Sequence, residues 1–294
     1  MLDFISLSQN LFNGILIGMV YAMIGIGLTL IFSVMSTINF AHGDFVVLGM
    51  YAAILLNSLF GWDPYVGLLI IIPSSFILGV LIQRFILERA IDASQETSML
   101  ITLGISLIIG NLLLLGFGTE PKSVYTSYAS DTFKIASVNI SMVLLLAGAA
   151  TLAVAIALYF LLYRTEVGRT IRATAQNRLG AELTGINTKK IQAIVMGLGT
   201  LLAVTAGVTL IPLLYATPTT TGPLFTLKAF VVIVLGGLGN IKAAVAGGLV
   251  LGVVEVLGAS YLSSEYREAY GLLVFLLILL LKPEGLFGRK VKRV

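Results

Sequence analysis

Residues 11–32 read LFNGILIGMVYAMIGIGLTLIF, a run of 22 positions without Asp, Glu, Lys, Arg or His. Wound as a helix at ~1.5 Å per residue it is about 33 Å long, enough to cross the ~30 Å hydrocarbon layer of a bilayer. The rest of the chain has the same character: 58% of its 294 residues are hydrophobic, 11% are charged, and the mean hydropathy is +1.03. Soluble domains carry about 25% charged residues, so this chain has less than half the charge that coats a water-soluble globule. Its 31 glycines suit membrane helices, where small residues let backbones approach. The sequence therefore predicts an all-α, polytopic membrane protein with one transmembrane domain over residues 1–294.

Further apolar runs cover Phe45–Phe60, Tyr65–Ile82, Ser98–Phe117, Val138–Tyr163, Ile191–Tyr215, Ala229–Gly239, Ala243–Leu262 and Tyr270–Leu281, giving eight or nine membrane-crossing elements. The 11 residues from Ala229 and the 12 from Tyr270 are too short to cross alone. They read either as half-helices or as parts of helices that extend through flanking residues. The first ten residues, MLDFISLSQN, hold no basic n-region, and no small-residue cleavage site follows. Residues 11–32 are thus read as a retained first span rather than a signal peptide. Cysteine is absent, which excludes disulfides, thiolate metal sites and cysteine nucleophiles.

Lys and Arg in the connections set the expected orientation. The loop 164–190 holds Arg164, Arg169, Arg172, Arg178, Lys189 and Lys190 against Glu166 and Glu182, and reads as cytoplasmic. So does the basic tail 282–294, with Lys282, Arg289, Lys290, Lys292 and Arg293 against Glu284. The loop 118–137 balances Lys122 and Lys134 with Glu120 and Asp131, and reads as external. With nine crossings the N-terminus lies outside and the C-terminus in the cytoplasm. The net charge of +4 sits mainly in the two basic segments, so it reports orientation and not affinity for nucleic acid.

GLTLI from Gly27 recurs as GVTLI from Gly207, and FVV from Phe45 recurs from Phe230. The recurrence reads either as chance in apolar sequence or as two related halves around a pore, with broken helices near the midplane. Between the first two spans, SVMSTINFAHGDFVVLG (Ser33–Gly49) places Asn39, the single histidine His42 and Asp44 against apolar sequence. Polar groups at membrane depth are costly and usually face an interior or an aqueous cavity. The segment is equally readable as a turn whose Asn and Asp cap the next helix. One histidine with no cysteine partner argues against a metal site.

A glycine-rich run, VLGGLGNIKAAVAGGLVLG (Val234–Gly252), carries Gly236, Gly237, Gly239 and Asn240 and reads as close helix packing with a sharp turn. No GxxxxGK[ST] phosphate loop occurs in the sequence. Glu255 falls deep in the following span, as a pore-facing carboxylate or as the partner of a neighbouring polar group. The stretch from Gly168 to Thr184 suits a surface helix ended by Gly185. That helix either binds lipid headgroups or docks a soluble motor.

NFAHG at Asn39–Gly43, AELTGIN at Ala181–Asn187, GGLGN at Gly236–Asn240 and the terminal KPEGLFGR from Lys282 resemble the motifs of LivH-type permeases. These belong to ATP-binding-cassette (ABC) importers of branched-chain amino acids, and the resemblance covers nearly the whole chain. It implies a permease subunit in a prokaryotic cytoplasmic (inner) membrane, working by alternating access as half of a translocation pore. The implied partners are a second, LivM-like permease, two cytoplasmic ATPase subunits that bind ATP and Mg, an extracytoplasmic substrate-binding protein, and membrane lipid. No catalytic residue and no cofactor are implied for this chain itself. The motif residues Asn39, His42, Gly236, Gly237, Gly239 and Asn240, with Asp44 and Glu255 as ionisable groups at membrane depth, are the pathway or gating candidates. Ala181, Glu182 and Gly185, retained from a fuller EAA pattern, fall to ATPase coupling in the loop 164–190.

Urea and short-chain amide permeases share much of the pattern and form the alternative substrate class. A stand-alone secondary transporter or channel would need ionisable relays in its spans, for which His42, Asp44 and Glu255 are the candidates. An intramembrane enzyme is disfavoured. There is no HExxH motif and no paired intramembrane aspartate, and Ser33 and Ser36 are too loosely arranged around His42.

Overall fold

The computed structural model describes residues 4–90, 95–135, 138–282 and 285–286. In chain order its helices are α1 (Phe4–Met35), α2 (His42–Phe60), α3 (Pro64–Phe85), α4 (Gln95–Phe117), α5 (Met142–Arg164), α6 (Glu166–Gln176), α7 (Arg178–Leu183), α8 (Thr188–Leu210), α9 (Thr221–Gly236), α10 (Ile241–Tyr261) and α11 (Arg267–Leu281). Seven of them (α1 to α5, α8 and α10) are long and apolar enough to cross a membrane. The two short apolar runs become helices of 16 residues (α9) and 15 residues (α11), extended backwards from their expected starts. Most of the basic tail lies outside the described residues.

Two local readings differ from the structure. The expected helix over 168–184 is broken at Asn177, whose extended backbone and side-chain oxygen, accepting from the Gly180 N–H at 2.8 Å, start α7 afresh. The expected span from Val138 begins with a strand. β1 (Thr132–Ile135) and β2 (Val138–Ser141) pair antiparallel before α5 starts at Met142. This hairpin lies beside the start of α1, where the Gln9 side chain donates to the Asn139 carbonyl at 2.5 Å.

In their most apolar stretches α1 and α8 are 72% and 83% buried, against 28% for α4, so these two helices form the centre. Glycine makes their packing close. A Cβ on Gly14 would sit 2.8 Å from Val253 Cα, and one on Gly18 2.8 Å from Leu249 Cα. The partner on α10 retreats as α1 advances, so the two helices run antiparallel. Helices α3 and α8 do the same, with Lys189 paired to Glu88 at 3.5 Å and Gly197 packed on Phe76.

The recurrent sequence maps onto this arrangement. GLTLI lies in α1 and GVTLI at the end of α8, its Ile211 being the C-cap, while the two FVV strings lie in α2 and α9. Exchanging the halves (α1 with α8, α2 with α9, α3 with α10) turns the α1–α10 pair into the α8–α3 pair. The repeat is therefore a property of the fold.

Candidate functional site

Helix α2 begins inside the protein. The His42 Nε2 lies 2.9 Å from the Ile24 carbonyl oxygen, and Ile24 is 11 residues before the end of α1. At ~1.5 Å per residue that is about 16 Å short of the helix end. The chain re-enters through residues 36–41, and positive φ at Ser36 (56°) makes the turn. Asn39 forms a turn just before the new helix, its Oδ1 accepting from the Ala41 N–H at 3.0 Å, with no side-chain cap on α2 itself.

The start of α9 meets the start of α2. The Gly43 N–H donates to Thr226 Oγ1 at 3.0 Å, and that hydroxyl donates to the Phe40 carbonyl at 3.1 Å. A Cβ on Gly43 would lie 2.1 Å from the Gly222 carbonyl oxygen, and one on Gly222 would lie 2.1 Å from Asp44 Oδ1. A Cβ on Gly222 would have to displace that carboxylate, and the backbone contact at Gly43 makes glycine there a requirement of this crossing. The crossing places the Asp44 carboxylate, buried with Asn39 and His42, beside the first turn of each helix. Helix N-termini carry partial positive charge, which favours a carboxylate there.

The other candidates fall elsewhere. Gly236–Asn240 connects α9 to α10, with left-handed φ at Gly239 (79°) and with Asn240 Oδ1 accepting from the Lys242 and Ala243 N–H groups at 3.1 and 3.3 Å. A Cβ on Gly236 would meet the Ala243 carbonyl oxygen at 2.3 Å, so this glycine makes the tight exit from α9. Glu255, on α10, is 1% exposed and forms a third centre. Its Oε1 accepts from Lys228 Nζ at 2.5 Å and its Oε2 from the Tyr21 hydroxyl at 2.8 Å. Arg267 Nε stands 3.6 Å from Oε2, an ion pair without a hydrogen bond.

Lys228, Tyr21, Arg267 and Thr226 were not among the residues expected from sequence. Lys228 was the findable one: a lone lysine in TGPLFTLKAFVV, set just before the apolar run instead of within it.

On the loop 164–190, Ala181 is buried and Glu182 is exposed. Glu182 Oε1 accepts from Thr188 Oγ1 at 2.6 Å and from Arg178 Nε at 3.2 Å. The Thr188 hydrogen bond, then that of Arg178, holds the carboxyl below the usual glutamate range. Its contribution is thus present at neutral pH and is lost only as pH falls through that depressed value. Gly185 ends α7 with φ of 85°, its N–H donating to Glu182 O at 3.0 Å while the Ile186 N–H donates to Ala181 O at 3.0 Å. That pair of bonds is a Schellman ending, which demands a left-handed residue. Leu179 and Leu183, one turn apart on α7, are 67% and 81% exposed.

Comparison with known proteins gives a consistent match. The family described as branched-chain amino acid transport system / permease component matches residues 10–282. The high-affinity branched-chain amino acid transport system permease protein LivH of Salmonella typhimurium is 30% identical, over 98% of this chain and 97% of its own. BraD of Pseudomonas aeruginosa, similarly described, is 33% identical over 96% and 95%. The ribose import permease protein RbsC of Escherichia coli is 34% identical over a shorter region, 42% of this chain and 41% of its own. Among solved structures, a chain of PsaBC from Streptococcus pneumoniae in complex with Fab superposes with a TM-score of 0.51 at 16% identity. The match covers 94% of this chain and 92% of that one, a likeness of fold.

Proposed function

Since this chain belongs to the branched-chain amino acid transport system permease family, we propose that it forms half of the membrane pore of an ABC importer for branched-chain amino acids. The observation that carries the reading is the relation to LivH and BraD along nearly the full length of both chains. The chain is a multi-pass membrane protein, and its place is the prokaryotic inner membrane. A second, LivM-like permease completes the pore, two cytoplasmic subunits bind ATP and Mg, and an extracytoplasmic protein delivers substrate. Deleting the chain should abolish high-affinity uptake of leucine, isoleucine and valine together. That uptake should stop on ATP depletion and survive collapse of the proton gradient. Uptake of urea or short amides lost in place of the three amino acids would move the substrate class.

The proposed pathway runs past the crossing of α2 and α9. Two helices that start inside the protein, related by an internal repeat, are the arrangement in which one half rocks against the other around a fixed site. Asn39, His42 and Asp44 line that crossing in this reading, and Gly236, Gly237, Gly239 and Asn240 form the hinge at the far end of α9. Glu255 restrains α9 through Lys228.

The excess of Lys and Arg in residues 164–190 supports a cytoplasmic loop, and with it an N-terminus outside and a C-terminal tail 282–294 inside. Because the chain has no cysteine, single cysteines report this directly. Arg178→Cys should resist impermeant thiol reagents in intact cells and Ser127→Cys should react. Labelling of Arg178→Cys from outside would reverse the topology.

The loop itself is proposed as the motor-docking element, with the exposed Leu179 and Leu183 presented to an ATPase groove. Gly185→Val should strain a left-handed helix ending. Glu182→Lys should reverse a charge at the contact and also lose the bond from Thr188. Glu182→Gln keeps an acceptor oxygen for Thr188 and isolates the charge. Leucine-stimulated ATPase activity of the reconstituted complex should fall in all three, least in Glu182→Gln, and the ATPase subunits should co-purify poorly with Gly185→Val. A helix that only binds anionic headgroups would hold the membrane more firmly with Glu182→Lys. Unchanged ATPase stimulation and retention in every variant would remove the docking role.

A further inference from the structure

A cleft of about 350 Å³ opens beside Lys228, between α1, α9, the turn at Ser264–Tyr266 and the start of α11. This is within the ~300–1,000 Å³ range of small-molecule sites. Its walls differ in chemistry. Leu214, Leu224 and Phe225 make one side apolar. At the base, two cations, Lys228 and Arg267, face the one buried carboxylate of Glu255. Glu265 and Glu268 line the exposed edge, and neither is ion-paired among the described residues.

The cations keep donors in reserve. Lys228 spends two N–H groups on Glu255 and the Tyr21 hydroxyl, which leaves a third. The Arg267 guanidinium forms no hydrogen bond among the described residues, although its side chain is a third exposed. A structural ion pair would be expected to engage that planar fork with its carboxylate partner. Here that fork makes no hydrogen bond among the described residues, and Arg267 lines the cleft.

We propose that this cleft is a transit site for a zwitterionic aliphatic amino acid, its carboxylate on Arg267 and Lys228, its ammonium on Glu268 and its side chain against Leu224 and Phe225. The assignment rests on the function proposed above and names where that substrate is held inside the permease. The carboxylate enters beside the two cations, Lys228 and Arg267. The ammonium meets a free acid at the rim. The apolar wall favours a branched aliphatic side chain over a polar one, because burying its surface is the favourable term.

Ser264 lines the same cleft and is exposed, so Ser264→Cys gives a reporter in a chain without native cysteine. The complete complex carrying it is placed in phosphatidylcholine nanodiscs without the substrate-binding protein, and thiol labelling of this chain is followed. Leucine at about ten times its dissociation constant should slow labelling about tenfold by mass action, whereas leucinamide, which lacks the carboxylate, should not. Arg267→Gln in that background should lose the protection, and Arg267→Lys should recover part of it, with equal labelling rates in the absence of leucine reporting an intact fold.

Labelling unaffected by leucine, or protection undiminished in Arg267→Gln, would overturn the assignment. Protection that follows phosphatidylethanolamine in the nanodisc instead of leucine would give the cleft to a lipid headgroup and overturn it equally. Uptake driven by ATP and the substrate-binding protein is measured on the same complex. Uptake without protection removes the transit site and leaves the importer reading standing. Protection without such uptake supports the site and removes the importer reading.

Discussion

Replacing Glu255 with leucine is expected to destabilise the folded protein by about 3–5 kcal/mol, the usual cost of breaking a buried ion pair by removing one partner. Glu255 is 1% exposed and gathers Lys228, Arg267 and the Tyr21 hydroxyl around it. Without the carboxylate, Lys228 remains with a side chain only 13% exposed and no counter-charge. Arg267, a third exposed, can turn towards water. Most of the loss should therefore trace to Lys228. Combining Glu255→Leu with Lys228→Met should restore much of the stability, since two apolar residues can replace a buried pair at little cost. Glu255→Gln should lie between, keeping an acceptor for Tyr21 but no charge. Unfolding of the purified complex in detergent, by heat or by added dodecyl sulfate, gives the ordering. Glu255→Leu as stable as wild type would mean that the cluster contributes nothing to the fold.

Substitution of Gly207 should be as damaging, through shape alone. A Cβ there would lie 1.9 Å from the Val46 carbonyl oxygen and 2.8 Å from its carbon, and one on Gly49 would lie 2.1 Å from the Val204 carbonyl oxygen. Helices α2 and α8 thus touch backbone to backbone at two points, and no side-chain rotation can relieve an added methyl. Overpacking a core typically costs about 1–3 kcal/mol and sometimes more. Gly207→Ala should reach the top of that range, and Gly207→Leu should yield no monodisperse protein. Gly104 in α4 is the control, because open space surrounds it. There alanine should be neutral or stabilising by up to about 1 kcal/mol, its helix-propensity advantage over glycine. Equal stability of Gly207→Ala and Gly104→Ala would contradict the close approach.

These positions show what the sequence disclosed and what it did not. The long helices were legible because a bilayer demands apolar runs of a given length, and residues 11–32 announce one. The run from Ala229 is short in sequence because Lys228 ends it, and of the two readings open to it the structure shows extension through flanking residues, back to Thr221. Hydropathy cannot see that Glu255, 27 residues later, neutralises that lysine. The break at Asn177 escaped notice because Ala, Leu and Arg favour helix on both sides of it, and a capping asparagine outweighs them locally.

The repeat was faintly visible in GLTLI and GVTLI, yet its meaning depends on packing. The same five-residue pattern places Gly27 against Gly199 in α8 and Gly207 against Val46 in α2. Of the polar cluster, Asn39, His42 and Asp44 were conspicuous as polar residues in apolar sequence. Their position at a helix start about 16 Å inside the end of α1 follows from the His42 contact with Ile24, a distance no sequence pattern encodes. Gly43 and Gly222, which let α2 and α9 cross, are two glycines among 31 and carry no distinguishing mark until the backbones are seen together.

As proposed, this chain forms half of a pore driven by a separate motor. The decisive measurement is leucine accumulation in proteoliposomes, comparing the chain alone under sodium and proton gradients with the full complex given ATP and substrate-binding protein. The lone chain should neither hydrolyse ATP nor accumulate leucine, and the complex should accumulate it only with both ATP and substrate-binding protein present. Gradient-driven accumulation by the lone chain would contradict the account and identify a secondary transporter.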